Sequence, residues 1–313
     1  MKTLISIIVP MHNEAANVPE LQTALTKVFA KLPDYRAEYI YVDDGSTDTS
    51  VVVVEQLMKR NKQLRLLRLS RNFGKEVATS AGLHAAKGEA ALMIDADLQH
   101  PPQVIPELIK QWEAGFDVVV GVRDPKTIQA SFVKRLTSRW FYRLTNAMSS
   151  MELVAGATDF RLLDRVVIDE FNRLTERNRM TRSLIDWLGF SRAYVQFTPG
   201  KRSHGQAAYS YKGLIKLATN SIVSLSFFPL KLAGYLGAVI TIIAAPLGIF
   251  IFLDRYILND PFHLNFTGTA MLAVMLLFLV GIVLICQGLM ALYIANIYSE
   301  VQNRPLYIER RKR

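Results

Sequence analysis

Ala91-Leu92-Met93-Ile94-Asp95-Ala96-Asp97-Leu98-Gln99-His100-Pro101-Pro102 is the stretch whose reading decides the fold. Its apolar run, 92–94, reads as a buried strand. Two acids one residue apart follow, and a Pro-Pro pair stops the run. Alternate side chains of a strand share a side, so Asp95 and Asp97 point the same way at the strand's end, with the Gln99 amide close by. Carboxylate and amide oxygens at the carboxyl end of a strand can hold a hard divalent cation, which carries a phosphate ligand with it. A polar turn with solvated acids is the alternative, and the neighbouring segments have to decide.

Toward the N-terminus the same pattern repeats. Residues 4–9 form an apolar strand ended by Pro10. Asn13 can cap the following helix, with Glu14 at its positive end, and that helix runs to about Lys31. A second strand, 38–42, ends in Asp43-Asp44-Gly45-Ser46-Thr47-Asp48. Gly45 allows a tight turn, and Ser46, Thr47 or Asp48 can cap a helix through Lys59. A third strand, 64–69, leads through Ser70-Arg71-Asn72-Phe73-Gly74-Lys75 into a helix from about Glu76 to Ala86. Lys75 opposes the dipole at that helix start; it meets either a phosphate or solvent. Strands alternating with helices predict a mostly parallel sheet with right-handed crossovers and ligands at the strands' carboxyl ends. Asp43, Asp44, Lys75, Asp95 and Asp97 all fall at such ends, and their convergence favours an active site over ordinary turns.

The chain has 313 residues, a net charge of +10 and half its residues apolar, with the apolar excess near the C-terminus. A basic excess suits nucleic acid, an anionic membrane surface or phosphorylated substrates. With no zinc-ligand spacing and no RNA-binding signature, nucleic acid is set aside. The one cysteine, Cys286, lies in an apolar run and reads as a buried inert thiol. No secretory signal is visible, so the N-terminal part is expected on the cytosolic side.

The second half adds cations and then apolar length. A strand over 115–123 ends in Arg123. A basic helix follows, with Lys134, Arg135, Arg139 and Arg143 set between apolar residues. Its cationic face meets either solvent or lipid phosphate. Residues 209–231 predict an amphipathic interfacial helix or a helix docked on the catalytic domain. Two uncharged stretches follow, a span at about 232–253 and another at about 268–294, each long enough for roughly 30 Å of hydrocarbon. The tail ends Glu309-Arg310-Arg311-Lys312-Arg313, and positive charge at both ends puts both in the cytosol. The expected domains are thus a cytosolic catalytic domain, 1–208, the interfacial region 209–231, a transmembrane hairpin within 232–299 and a basic cytosolic tail, 300–313.

Four ordered motifs carry a resemblance: Val9-Pro10-Met11-His12-Asn13-Glu14, Val42-Asp43-Asp44-Gly45-Ser46-Thr47-Asp48, Arg71-Asn72-Phe73-Gly74-Lys75 and Asp95-Ala96-Asp97-Leu98-Gln99-His100-Pro101-Pro102. Together they resemble family 2 GT-A glycosyltransferases, most closely the polyprenyl-phosphate type: dolichol-phosphate mannosyltransferase and the undecaprenyl-phosphate glucosyltransferases. The resemblance implies a Rossmann-like GT-A domain, a nucleotide-sugar donor, Mg²⁺ or Mn²⁺, and a polyprenyl phosphate acceptor in the membrane. It implies donor contacts at Pro10, His12, Glu14, Asp43, Asp44, Lys75 and Asp95, although the family more often has Tyr where His12 stands. Asp97, Gln99 and Asp95 would hold the metal. Arg123, Arg135, Ser138 and Arg202 would meet the acceptor phosphate. Asp159, in Gly156-Ala157-Thr158-Asp159-Phe160-Arg161, matches the family's catalytic carboxylate, alongside Asp97. An acid paired with Arg161 or another cation is the plainer reading of Asp159. Lys201-Arg202-Ser203-His204-Gly205-Gln206-Ala207-Ala208-Tyr209 resembles a phosphate loop of the family, with Ala207 and Ala208 replacing a hydroxyl residue and a lysine. Inverting transfer from UDP-glucose or UDP-N-acetylglucosamine is the expected reaction, GDP-mannose the alternative donor, and a homo-oligomer such as a tetramer the expected assembly. A processive polysaccharide synthase would need a Q-x-x-R-W element and more spans. An inactive membrane partner would not need Lys75, Asp95 and Asp97.

Overall fold

The computed structural model describes residues 2–124, 156–177, 179–200, 246 and 268–310. The chain divides into two compact units, one of Met1–Ala208 with Arg304–Arg313, the other of Tyr209–Asn303. In the first unit the elements alternate: β1 (Thr3–Met11), α1 (Val18–Phe29), β2 (Tyr35–Asp43), α2 (Ser50–Arg60), β3 (Leu64–Arg68), α3 (Lys75–Ala85) and β4 (Ala90–Met93). They continue through α4 (Ile105–Glu113), β5 (Val118–Arg123), β6 (Ala157–Asp164), α5 (Arg165–Arg173), α6 (Thr181–Trp187) and β7 (Arg192–Phe197).

The seven strands form one sheet in the order β3-β2-β1-β4-β6-β5-β7. All neighbouring pairs are parallel except those of β6, which runs antiparallel to β4 and β5. The mostly parallel α/β sheet is therefore the one the alternating pattern predicts. Its strands are apolar on both sides because both sides are covered. Ile5, Ile7 and Val9 of β1 pack with Leu21 and Leu25 of α1 and Ile105 and Leu108 of α4. Ile8 faces the other way, with Ala78 and Ala81 of α3 and Val167 and Phe171 of α5. A Cβ at Gly82 would lie 2.3 Å from Ile8 Cγ2, so glycine is what lets α3 sit this close to β1.

Local boundaries differ from the sequence expectation where side chains take other partners. Asn13 caps nothing in α1. It has φ 58°, and its Oδ1 accepts from Thr47 N at 2.8 Å and Asp48 N at 3.2 Å, tying the first strand-end loop to the second. Helix α1 starts later, at Val18, with Pro19 in its first turn. Nor do Ser46, Thr47 or Asp48 cap α2, which starts at Ser50 after Thr49. Asp48 Oδ1 instead accepts from Ser50 N at 2.9 Å. Segment 156–165 is β6 followed by a cap, Asp164 accepting from Val166 N at 2.9 Å at the start of α5.

In the second unit, α7 (Gly268–Val301) is 34 residues long. Many of its side chains lie outside the description, and among the described residues no helix is long and apolar enough to cross a membrane. The expected basic helix around Arg135, the interfacial helix 209–231 and nearly all of the first span, 232–253, lie outside the described residues.

One buried charge locks the far side of the sheet. Arg161 of β6 is 1% exposed and pairs with Asp186 of α6 at 2.8 Å. Arg192 of β7 approaches the same carboxylate at 3.4 Å. Removing one partner of a buried pair leaves an uncompensated charge. Arg161→Met is expected to cost about 3 kcal/mol. Arg173→Met, which breaks an exposed pair with Glu170, should cost under about 1 kcal/mol. Denaturant unfolding of the purified full chain with either substitution measures both.

Candidate active site

The carboxyl ends of β1 to β5 share one edge of the sheet. Because β6 is antiparallel, its N-terminal residues meet that edge, with Ala157 paired to Val122. This reversal brings Asp159 to the acids that follow β4. Lys75, first residue of α3, closes the arrangement. Its Nζ lies 2.6 Å from Asp95 Oδ1 and 3.0 Å from Asp159 Oδ2. Arg182 of α6 holds the other oxygen of Asp159, donating from Nε at 3.1 Å and from Nη2 at 2.8 Å. A continuous chain Arg182–Asp159–Lys75–Asp95 results, with side-chain exposures of 39, 28, 42 and 24%. Asp159 thus has the cationic partnership that the plainer reading foresaw, but not with Arg161, which is committed to Asp186.

The charges fix the protonation states. Burial alone would push the Asp159 carboxyl up, but the Lys75 ammonium and the Arg182 guanidinium hold it well below the usual carboxylate range. Burial likewise opposes charge on Lys75, yet Asp95 and Asp159 hold its ammonium above the ordinary lysine range. Asp159 is therefore ionised and a poor proton acceptor near neutrality; it is built to hold position. His100, 2% exposed, is stacked on Phe160 with centroids 5.2 Å apart and set edge-on to Phe197 at 5.8 Å. Burial lowers its pKa despite the Asp95 carboxylate nearby. The ring is tied to the turn through Nδ1, which accepts from Asp95 N at 3.4 Å.

The turn itself is strained where it must aim oxygens. Leu98 has φ 62°, a conformation costly for a branched side chain. Gln99 N donates to Asp97 Oδ1 at 3.1 Å, and Gln99 Oε1 accepts from Arg123 Nη2 at 3.1 Å. Gly200 N donates to Gln99 O at 3.1 Å, and a Cβ at Gly200 would lie 2.5 Å from Leu98 O. The strand-end acids, Gln99 and Arg123 are thus brought together. Among the described residues no group of three or more His, Cys, Asp or Glu could hold a metal ion.

At the other strand ends the expected donor residues build loops. Asp44 is 3% exposed, and its oxygens accept from Phe73 N at 2.7 Å and Gly74 N at 2.9 Å. Asp43, 2% exposed, accepts from Ser46 N at 3.1 Å. His12 lies exposed on this rim, its Nδ1 2.9 Å from the Asp44 carbonyl oxygen. Glu14 Oε2 accepts from Asn17 at 2.6 Å, and Pro10 pairs with Val42 inside the sheet. Arg135, Ser138 and Arg202 lie outside the described residues. The sequence reading missed Arg182. Nothing in Met180-Thr181-Arg182-Ser183 distinguishes that arginine; only the contact with Asp159, 23 positions away, does.

The α/β sheet thus carries alternating acids and cations along its carboxyl edge. The chain belongs to Glycosyl transferase family 2, whose profile matches residues 6–171. It is 37% identical over 303 residues to the Bacillus subtilis (strain 168) protein named uncharacterized glycosyltransferase YkcC, covering 97% of this chain and 92% of that one. It is 35% identical over 304 residues to the SfII prophage-derived bactoprenol glucosyl transferase of Shigella flexneri, covering 97% and 96%. Among solved structures, mannosyl-3-phosphoglycerate synthase from Rubrobacter xylanophilus superposes with a TM-score of 0.51 at 16% identity, over 70% of this chain and 71% of that one. That likeness concerns the fold alone.

Two outcomes follow from the geometry. Gly200→Ala forces the Leu98 carbonyl to move and should lower turnover by about 10²-fold, since misplacement of order 1 Å costs that much, while thermal melts shift little. The Asp159 charge stabilises the fold above its unfolded value of about 3.9 and is lost as pH falls through the still lower folded value. The Lys75 charge stabilises below about 10.4 and is lost as pH rises through its higher folded value. Both charges are therefore constant between roughly pH 5 and 9. Rate profiles of the wild type and Asp159→Asn should have limbs at the same pH, differing only in height.

Proposed function

We propose that the chain transfers a sugar with inversion from UDP-glucose or UDP-N-acetylglucosamine to polyprenyl phosphate of the undecaprenyl type. The observation that carries this reading is the chain Arg182–Asp159–Lys75–Asp95 beside Asp97 and Arg123. Likeness along nearly the whole chain to proteins named bactoprenol glucosyl transferase supports the acceptor.

An oxygen of the lipid phosphate attacks the anomeric carbon, and the bond from that carbon to the nucleoside diphosphate breaks. The phosphate is already ionised near neutrality, so no strong base is needed, which suits an Asp159 pinned by two cations. Asp159 orients, and Lys75 keeps it from repelling Asp95. Arg123, with Arg135, Ser138 and Arg202, would guide the acceptor phosphate. A divalent ion such as Mg²⁺ or Mn²⁺ fits the donor set: such ions are held by one or two carboxylates plus substrate phosphates rather than by an all-protein cage. Asp97, with Asp95 and Gln99, would hold it, and when bound it would neutralise charge on the leaving diphosphate.

The reading includes attachment to the cell or inner membrane through a hairpin of the spans 232–253 and 268–294, with the catalytic unit and the tail in the cytosol. Its support is the absence of charged residues from 267 to 299, together with exposed Leu272, Leu276, Val283, Ile294 and Ile297 on α7. Assembly as a homo-oligomer, a tetramer in particular, belongs to the same reading.

Purified full-length chain, undecaprenyl phosphate and Mn²⁺, offered UDP-glucose, UDP-N-acetylglucosamine and GDP-mannose in turn, should release nucleoside diphosphate only with lipid present and with a UDP-sugar. NMR of the product should show a β linkage from an α-linked donor; an α linkage overturns the single displacement. Asp97→Ala should lower the apparent affinity for Mn²⁺ by at least about tenfold with the fold unchanged.

A further inference from the structure

The C-terminal tail belongs to the catalytic unit. Residues 307–310 lie antiparallel along the chain just beyond β3, the end strand of the sheet. Ser70 N donates to Ile308 O at 2.8 Å, and Arg310 N donates to Arg68 O at 2.7 Å, around the bridge Leu69–Glu309. The Tyr307 ring lies 6.1 Å from that of His84 on α3 and packs against the buried cluster around Ala78 and Leu83. Arg310, the first residue of the basic run that closes the sequence, is thus part of this paired segment.

What this strand touches matters more than the edge it covers. Ser70 opens the loop 70–74, which delivers Lys75 to Asp95 and Asp159. The end of the loop is held from inside, where Asp44 accepts from Phe73 N and Gly74 N. Its middle presses on Gly45, where a Cβ would lie 2.6 Å from Arg71 C and Asn72 N. Asn72 Nδ2 reaches His12 at 3.4 Å. The start of the loop is bound by the tail.

We propose that the C-terminal strand is the positioning element of the loop 70–74 and thereby sets the affinity for the donor nucleotide. The proposal rests on the reading of this rim as the donor end of the site. Without the tail, Ser70 N and Arg68 O lose these partners, and the start of the loop keeps only the bond from Leu69 N to Asp43 O at 2.9 Å just before it. Since α7 ends at Val301 and the tail begins at Arg304, the clamp is supplied by the chain leaving that helix. Loss of the clamp weakens the ground-state complex more than the chemical step, because Lys75 keeps its own contacts with Asp95 and Asp159.

The test compares Arg310→Pro, which removes the N–H given to Arg68 O, with Arg310→Ala, which keeps it. UDP binding with Mn²⁺ and donor KM are measured on the full-length chain. Arg310→Pro should weaken both by up to about tenfold, the worth of one backbone hydrogen bond, with kcat within about twofold of wild type. Arg310→Ala should match wild type. Amide exchange at 70–74 should quicken in Arg310→Pro alone. A chain ending at Asn303 should lose affinity likewise and regain it on addition of a peptide of residues 304–313; should that chain fail to fold, the proline–alanine comparison decides. Equal KM and exchange in Arg310→Pro and Arg310→Ala overturns the proposal. A wild type that binds neither UDP nor GDP overturns the donor reading instead.

Discussion

Two carboxylates that would repel each other are held together by one ammonium. Lys75 lies within 3.0 Å of both Asp95 and Asp159, and the rest of the catalytic unit is arranged to allow that. Asp95 comes from the end of a parallel strand. Asp159 comes from the start of an antiparallel one, which is why β6 must run against its neighbours. Lys75 comes from a helix start, where a cation is disfavoured by the backbone dipole; the two carboxylates outweigh that local cost. The sequence anomaly and the tertiary contact are the same fact seen at two scales.

Much of this is legible in the sequence. The apolar runs ending in acids gave the parallel strands, because strands buried on both faces must be continuously apolar. The convergence of Lys75, Asp95 and Asp97 followed from the rule that parallel strands present their carboxyl ends to ligands. What stayed hidden depends on partners far away in the chain. Asn13 looks like a helix cap because local pattern cannot reveal a hydrogen bond to Thr47. Arg182 looks like any helix-start arginine because Asp159 is on another element. Asp43 and Asp44 sit where a nucleotide contact is expected, yet both are almost fully buried bracing loops, which periodicity does not report.

The tail illustrates the same limit from the other direction. A cluster of arginines at a chain end suggests an electrostatic role, and composition offers no hint of strand pairing. Tyr307 and Ile308 are the clue, a short β-favouring pair before the charges, but four residues are too few to read as a strand alone. Only the unpaired edge beside β3 gives them a partner.

The charge balance constrains the chemistry further. Among the described residues at the site, Lys75, Arg123 and Arg182 face Asp95, Asp97 and Asp159, so the resident charges cancel. His100 adds none, since burial keeps it neutral. A nucleoside diphosphate and a lipid phosphate would bring several negative charges into this neutral cluster. Burying them without added cations is costly. On the proposed reading a divalent ion travelling with the diphosphate would supply part of the compensation, and a site with few carboxylates would suffice for it. On the same reading the remainder would fall to cations of the second half of the sequence, Arg135 and the Lys201-Arg202 pair among them. If each phosphate group is matched by its own cation in this way, the neutral core would favour the fully loaded complex over either substrate alone.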